Sequence, residues 1–361
     1  MDFLQNEGQR ELAALSRDIL GDRCTPERLR EVEAGGDRFD PGLWAELARA
    51  GILAATLPED LGGSGLGLLE QCSVLTEIGR AASEVPYLCS IVLGAGALVS
   101  FGTPAVVDRW VGPAGRGSVV LTAALAEEDG DDPRVPSALA VRRDGGWVLS
   151  GVKTAVPFAP EADLLLVPAA TAEGVMVFLV VPGDGGVSVQ RQEVSFGSAG
   201  RVVLDGVVLD EDRVLGGAGV VDWLVLRGTV GLCAVQAGVV ERALEMTAEY
   251  ARSRVQFGRP IGSFQAVAQR LADAFIDVEA VRLTMWQAAW SLSSADVAVA
   301  KFWAADAGHR VAHTAVHVHG GTGIDVSYPL HRYFLAAKHN EFALGGATVQ
   351  LRRIGSSLST G

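Results

Sequence analysis

A chain of 361 residues, 49% hydrophobic and 20% charged, is long enough for two to three domains and apolar enough for a large core, which excludes a disordered chain. Its formal charge of −13 excludes nucleic acid and anionic membrane as main partners, because both need a basic footprint. Cys24, Cys72, Cys89 and Cys233 have neither metal-ligand spacing nor a disulfide framework; with no basic leader at the N-terminus and no apolar run reaching the ~18 residues of a membrane span, the chain is expected to be cytoplasmic.

In chain order, Asp2 is placed to cap a helix whose apolar positions Leu4, Leu12, Leu15 and Ile19 recur at helical spacing and which closes near Gly21. Asp40-Pro41 followed by Leu43, Trp44 and Leu47 predicts a second helix ending at Gly51. After the Pro/Gly-rich stretch from Leu57 to Gly67 a further helix runs from Leu68 to about Arg80, and residues 1–115 read as an all-α domain. At Gly117 the period changes. Segments 118–126, 138–143, 147–150, 163–168, 175–181, 187–192 and 201–208 are short and β-rich, with a hairpin signal at Asp144-Gly145-Gly146. No helical pattern separates them, so residues 116–215 are expected to form a β-barrel or sandwich, and Gly216-Gly217-Ala218-Gly219 a linker. From Val221 the spacing is helical again, with long helices to about Arg252 and over 263–290, 294–317 and 330–344; residues 216–361 are expected to form a four-helix bundle. The fold class is thus α+β and multi-domain: helical, then β, then bundle.

Several clusters carry chemistry, each with a plainer competitor. The acidic run from Glu127 to Asp132 reads as a solvated loop. His309, His313 and His317 share one helix face, but no carboxylate or cysteine completes a ligand set, so no metal is expected. No cysteine or serine sits in a nucleophile signature. The strongest constellation is the turn from Arg252 to Gln265. Its arginines, Arg254 among them, suit an oxyanion, Gln256 and Gln265 offer carboxamides, and Phe257 and Phe264 offer flat apolar faces. A basic turn between two helices is the plainer reading. Together with His317 and the glycine turn that includes Gly320 and Gly321, where backbone amides can approach a ligand without Cβ interference, it points to a site for a pyrophosphate-containing cofactor.

The run Arg254-x-Gln256-Phe257-Gly258-x-Pro260-Ile261 with Phe264-Gln265, then His319-Gly320-Gly321-x-Gly323 with Tyr328-Pro329 and His331-Arg332-Tyr333, resembles the acyl-CoA dehydrogenase family. Leu43-Trp44, Leu57-Pro58-Glu59, Gly62-Gly63-x-Gly65 and Glu77-Ile78-Gly79-Arg80 are similar to its N-terminal domain, so the likeness spans nearly the whole chain. The resemblance implies FAD, an acyl-CoA substrate oxidised to the enoyl thioester, a glutamate that removes the α-proton, and an electron-transfer flavoprotein as acceptor.

Departures from the family pattern are equally informative. Where the family has its glutamate, Ala343-Leu344-Gly345-Gly346 stands, and a leucine accepts no proton. Some members carry the base on the first bundle helix, a place near Asp222 here; Glu341 is a second alternative. In the β domain, Ala124 to Asp129 and Thr154-Ala155-Val156-Pro157-Phe158 replace the family's flavin-facing segments, and the flavin-packing tryptophan is absent. Family members build each FAD site at a subunit interface from a flavin-facing half and an adenosine-facing half, and this chain matches only the second. That split is similar to the base-lacking subunit of the actinobacterial α2β2 heterotetrameric acyl-CoA dehydrogenases of cholesterol side-chain degradation. The expected partners are therefore a second acyl-CoA dehydrogenase-like subunit and a steroid acyl-CoA. The alternatives are a self-sufficient dehydrogenase using Asp222 or Glu341, and a non-enzymatic acyl-CoA-binding scaffold.

Overall fold

The computed structural model describes residues 3–36, 38–130 and 132–359. Asp2 lies outside the described residues, and α1 (Glu7–Arg23) takes its cap from Asn6. The Asn6 side chain accepts from Gln9 N at 2.8 Å while Gln9 Oε1 accepts from Asn6 N at 2.9 Å, a reciprocal cap on two otherwise free amides. A second helix, α2 (Pro26–Ala34), was not foreseen; it buries none of its residues and so has no apolar stripe to give a periodic signal. The third, α3 (Pro41–Arg49), starts as read: the Asp40 carboxylate accepts from Gly42 N at 2.9 Å and Leu43 N at 3.2 Å, and Leu43, Trp44 and Leu47 are buried. Then follow α4 (Leu68–Arg80), a π-helical segment Tyr87–Ala95, α5 (Gly96–Phe101) and α6 (Pro104–Gly115).

The β region holds β1 (Leu121–Ala123), β2 (Leu139–Arg143), β3 (Gly146–Pro157), β4 (Leu164–Thr171), β5 (Gly174–Val180), β6 (Val187–Gln192), β7 (Ala199–Asp210) and β8 (Val214–Gly216). All seven expected strands form, and the Asp144-Gly145 turn has φ of 47° and 79°, the positive values a two-residue hairpin requires. The sheet order is β6-β7-β3-β2-β4-β5-β8, with β1 alongside β4 in parallel. Its two halves join through a single parallel pair, Leu139 with Ala170, and inward residues of both halves share one core that includes Leu149, Val156, Leu165, Val202 and Leu204. Across that core Trp147 meets Phe178 edge-on at 5.4 Å. The stretch read as a glycine linker is not one: β8 runs to Gly216 and the next helix starts at Ala218.

The helices of the last third are α7 (Ala218–Ser253), α8 (Gln265–Ser291), α9 (Ser294–His319), α10 (Leu330–Phe342) and α11 (Ala347–Ser359), with a two-stranded hairpin of β9 (Val255–Gln256) and β10 (Arg259–Pro260) between α7 and α8. The expected four-helix bundle thus carries a fifth helix, α11, packed on α9. Among the described residues α7 is long and apolar enough to cross a membrane, contrary to the reading that no such run exists; its Val230, Cys233, Val239 and Val240 are buried in the bundle. The chain packs as two units, residues 31–71 with 84–228 and residues 1–30 with 72–83 and 229–361.

Within the second of these units, Gln236 on α7 donates to Ala304 O of α9 at 3.1 Å and accepts from Asn340 Nδ2 of α10 at 3.1 Å, tying three helices through one buried carboxamide. In the same unit α4 crosses α7 with backbones nearly touching. A Cβ on Gly79 would lie 2.1 Å from Val235 O, and one on Gly238 would lie 1.9 Å from Thr76 O. Arg80 secures the crossing with ion pairs to Glu241 and Glu245, each at 3.0 Å. Gly238→Ala must push two helices apart, and its chemical denaturation midpoint is expected to fall by the equivalent of roughly 3 kcal/mol; an unchanged midpoint would contradict the close crossing.

Candidate cofactor site and the position of the missing base

The arginine-rich turn is built directly on the end of α7. Arg254 N donates to Tyr250 O at 2.8 Å, Ile261 N donates to Arg254 O at 2.8 Å, and between them Gln256 pairs with Arg259 across a two-residue turn. Phe257 and Gly258 form that turn with φ of 51° and 78°. Residues 252–260 are all exposed, and Phe257 is 93% so, although it contacts Phe264 edge-on at 6.1 Å. Arg259 stacks over Phe264 at 4.2 Å, and Gln265 opens α8 on the surface. The Arg254 guanidinium meets no carboxylate among the described residues.

The glycine turn follows α9. Gly320 has φ 61° and ψ −138°, a conformation open to glycine, and a Cβ on Gly320 or Gly321 would meet nothing within 4 Å. The space over both is left free for a ligand, whereas Gly323 packs tightly, its added Cβ only 3.0 Å from Val316 O. His317 is exposed on the last turn of α9.

His319, given no role of its own by the sequence, joins these two motifs. Its ring stacks on Tyr250 at 4.3 Å, its Nδ1–H donates to Ala315 O at 2.8 Å, and its Nε2 lies 3.3 Å from the Tyr328 hydroxyl. Tyr250 therefore holds the arginine turn through its carbonyl and the glycine turn through its ring. Burial lowers the His319 pKa, only partly offset by the bond to Ala315 O, so the ring works neutral. Exposed guanidinium, carboxamides, open glycine amides and an aromatic face form a donor set suited to a dinucleotide's pyrophosphate and adenine.

At the expected base position, α10 ends at Phe342 rather than at Leu344: Ala343 leaves the helix with ψ 133°, and Leu344 follows with a left-handed φ of 57°. Such a conformation costs a leucine about 1–2 kcal/mol. Neighbouring groups hold it: buried Gln350 donates to Leu344 O at 3.2 Å and Gly345 O at 3.0 Å, and Arg353 donates to Leu344 O at 3.5 Å. Just upstream, fully buried Lys301 donates to Asn340 O at 2.7 Å and Glu341 O at 3.1 Å, with its pKa pushed down to about 8 by burial. The loop is firmly built, but its side chain is a hydrocarbon.

The two alternative carboxylates are both engaged by cations. Glu341 accepts from Lys338 Nζ at 2.6 Å and lies 3.1 Å from His309 Nδ1. Asp222 accepts from Arg134 Nε at 2.5 Å, in the unit that holds the sheet. The histidine face likewise has other contacts, His309 with Glu341 and His313 edge-on to Phe334 at 5.2 Å.

The sheet corrects one reading of the acidic run and explains another departure. Asp131 lies outside the described residues, and Glu127 is not solvated: its carboxylate is buried against Lys153 Nζ at 2.6 Å and also accepts from Ser137 N and Ala138 N at 2.5 and 3.1 Å. Burial opposes the charge on Glu127, but Lys153 and the two amides outweigh it and hold its pKa below the usual carboxylate range. Immediately after Lys153, β3 bulges at Thr154-Ala155, with Ala155 at φ 45°. Gln192 Oε1 accepts from Ala155 N at 2.8 Å, so this stretch, which carries no tryptophan, satisfies its own backbone.

Sequence models of all three acyl-CoA dehydrogenase domains match the chain, the N-terminal domain over residues 6–118, the middle domain over 122–207 and the C-terminal domain over 216–359. The chain belongs to the acyl-CoA dehydrogenase family of FAD-dependent oxidoreductases. It is 51% identical to the acyl-CoA dehydrogenase FadE27 of Mycobacterium tuberculosis over 99% of each chain. It is also similar to a chain of the ChsE4-ChsE5 complex from the same organism, with a TM-score of 0.96 and 50% identity over 100% of both chains. A variant of the Tcur3481-Tcur3483 steroid acyl-CoA dehydrogenase gives 0.93 at 41% identity over 98% of both.

The lowered pKa of His319 sets a direction for acid. Its contribution to stability is complete above the unfolded-state value near 6.5, declines as pH falls from there through the lower folded-state value, and is gone below it. His319→Phe, which keeps a ring against Tyr250 but cannot titrate, is expected to lose less stability than the wild type between about pH 7 and pH 5. Parallel stability–pH curves for the two proteins would remove this role.

Proposed function

We propose that this chain is the base-lacking subunit of a heteromeric FAD-dependent acyl-CoA dehydrogenase acting on a steroid side-chain CoA thioester. The carrying observation is the coexistence, in one chain, of an open pyrophosphate-type turn at Arg254 and Gly320-Gly321 with a leucine in the rigid loop where the family's base belongs. A partner subunit homologous to this one would supply the glutamate and the flavin-facing wall. This chain would supply Arg254, Gln256, Phe257, Phe264, Gln265, His317, Gly320 and Gly321 to the far end of the cofactor. FAD, when bound, provides the hydride acceptor. The residues of this chain bind and orient it, while Leu344 takes no part in proton transfer.

Three lines support the reading. The relatives include chains of a heteromeric complex, ChsE4-ChsE5, and of a steroid enzyme, Tcur3481-Tcur3483. Both carboxylates offered by the sequence in place of the missing base, Glu341 and Asp222, already bond to cations, which favours assembly with a base-bearing partner over self-sufficiency. The exposed apolar side chains Phe257, Phe275 and Ile276 on the hairpin and α8 are 93%, 59% and 65% accessible, a surface suited to cover by another subunit. The electrons would pass to an electron-transfer flavoprotein, and the complex would work in the cytoplasm.

Co-expression with a base-bearing homologue tests the division of labour. Arg254→Ala is expected to weaken FAD binding to the assembled complex by about tenfold or more, since a charge-assisted hydrogen bond is lost, while leaving the unfolding temperature of the flavin-free protein unchanged. Undiminished flavin retention in that variant would remove the pyrophosphate role.

A further inference from the structure

The well-buried cations of this chain have compensating partners. Lys153 faces Glu127, Arg80 lies among Glu77, Glu241 and Glu245, and Lys301 donates to two carbonyls. Arg227, half-buried on α7, has none: among the described residues no carboxylate or other acceptor meets its guanidinium. The nearest acid on its helix is Asp222, whose carboxylate bonds to Arg134.

Arg227 is nevertheless held in place. Its guanidinium lies 4.1 Å from the centre of the Trp223 ring, one helical turn earlier. Trp223 is itself fixed, edge-on to Phe101 at 6.0 Å and seated so closely on Gly96 that a Cβ there would come within 2.8 Å of the indole. A guanidinium braced through its face keeps its N–H edge for a planar, bidentate acceptor, and removing half of it from water without a counter-charge is costly until one arrives. The rings of Trp223 and Phe101 make its surroundings aromatic, and Arg227 itself offers one positive charge. A singly charged carboxylate on an apolar body matches both features.

We propose that Arg227, braced by Trp223, is a carboxylate-binding site, its ligand either an amphipathic small-molecule acid or a carboxylate side chain of an associated subunit. This holds whether or not the chain contributes to a shared FAD site.

The test is calorimetric titration of octanoate, with octanol as the neutral control, into the purified protein in its native assembly. Wild type is compared with Arg227→Met and Arg227→Lys, and subunit dissociation is followed in parallel by sedimentation. For a small-molecule acid, Arg227→Met raises the octanoate Kd about tenfold or more, Arg227→Lys falls between, and octanol binding does not change. For a subunit carboxylate, octanoate does not bind, but Arg227→Met raises the dissociation constant of the assembly by a similar factor. In either case free Arg227→Met unfolds at the same or a higher temperature, because it no longer buries an uncompensated charge. The proposal is overturned if Arg227→Met changes neither octanoate binding nor assembly, or if that variant is destabilised or fails to fold, since Arg227 would then be a structural residue.

Discussion

The stack of His319 on Tyr250 is the contact on which the candidate cofactor site depends. Helix α7 must end where the arginine turn begins, and α9 must end where the glycine turn begins; the 4.3 Å ring contact brings those two ends together. The Tyr250 carbonyl anchors Arg254, and the His319 backbone leads straight into Gly320. A neutral, buried imidazole is needed for this, with its proton directed to Ala315 O. Neither turn has much core of its own, as the exposure of residues 252–260 makes plain, so their shape is set by this clamp rather than by local burial.

Much of the fold could be read from the sequence where a single local signal sufficed. Asp40-Pro41 announced α3, Asp144-Gly145 fixed the β2–β3 hairpin, and short β-rich segments split by Gly, Asp and Pro marked the strands. What escaped notice lacked such a signal or carried a contrary one. Helix α2 has no buried face, Gly345-Gly346 read as a terminus although α11 starts just beyond, and Gly216 looked like a linker while pairing as the end of β8. Glu127 stood in a run of acids that looked uniformly solvated, and its partner Lys153 lies on a strand that only the folded sheet brings alongside.

The candidate site was legible in its chemistry but not in its mechanics. Arginines, glutamines and glycines announce an oxyanion ligand by residue type. The clamp requires Tyr250 and His319 to meet from distant parts of the chain, which no spacing rule foretells. Leu344 carries no chemical signal at all; its meaning comes from the family pattern, and the structure adds that Gln350, Arg353 and Lys301 still hold its loop. A loop kept rigid around a side chain without proton affinity fits a subunit whose contribution is shape and phosphate binding rather than acid–base chemistry.

The proposed division of one FAD site between unlike chains fixes a simple stoichiometry. A chain with one kind of half-site cannot complete a site with its own copy, because a two-fold interface presents the same half twice. Flavin absorbance measured against molar mass by light scattering, on this chain co-purified with a base-bearing homologue, tests this most directly. The account predicts one FAD for each pair of unlike chains, with this chain colourless alone; one FAD per chain, or an active and fully flavinylated assembly of this chain by itself, would contradict it.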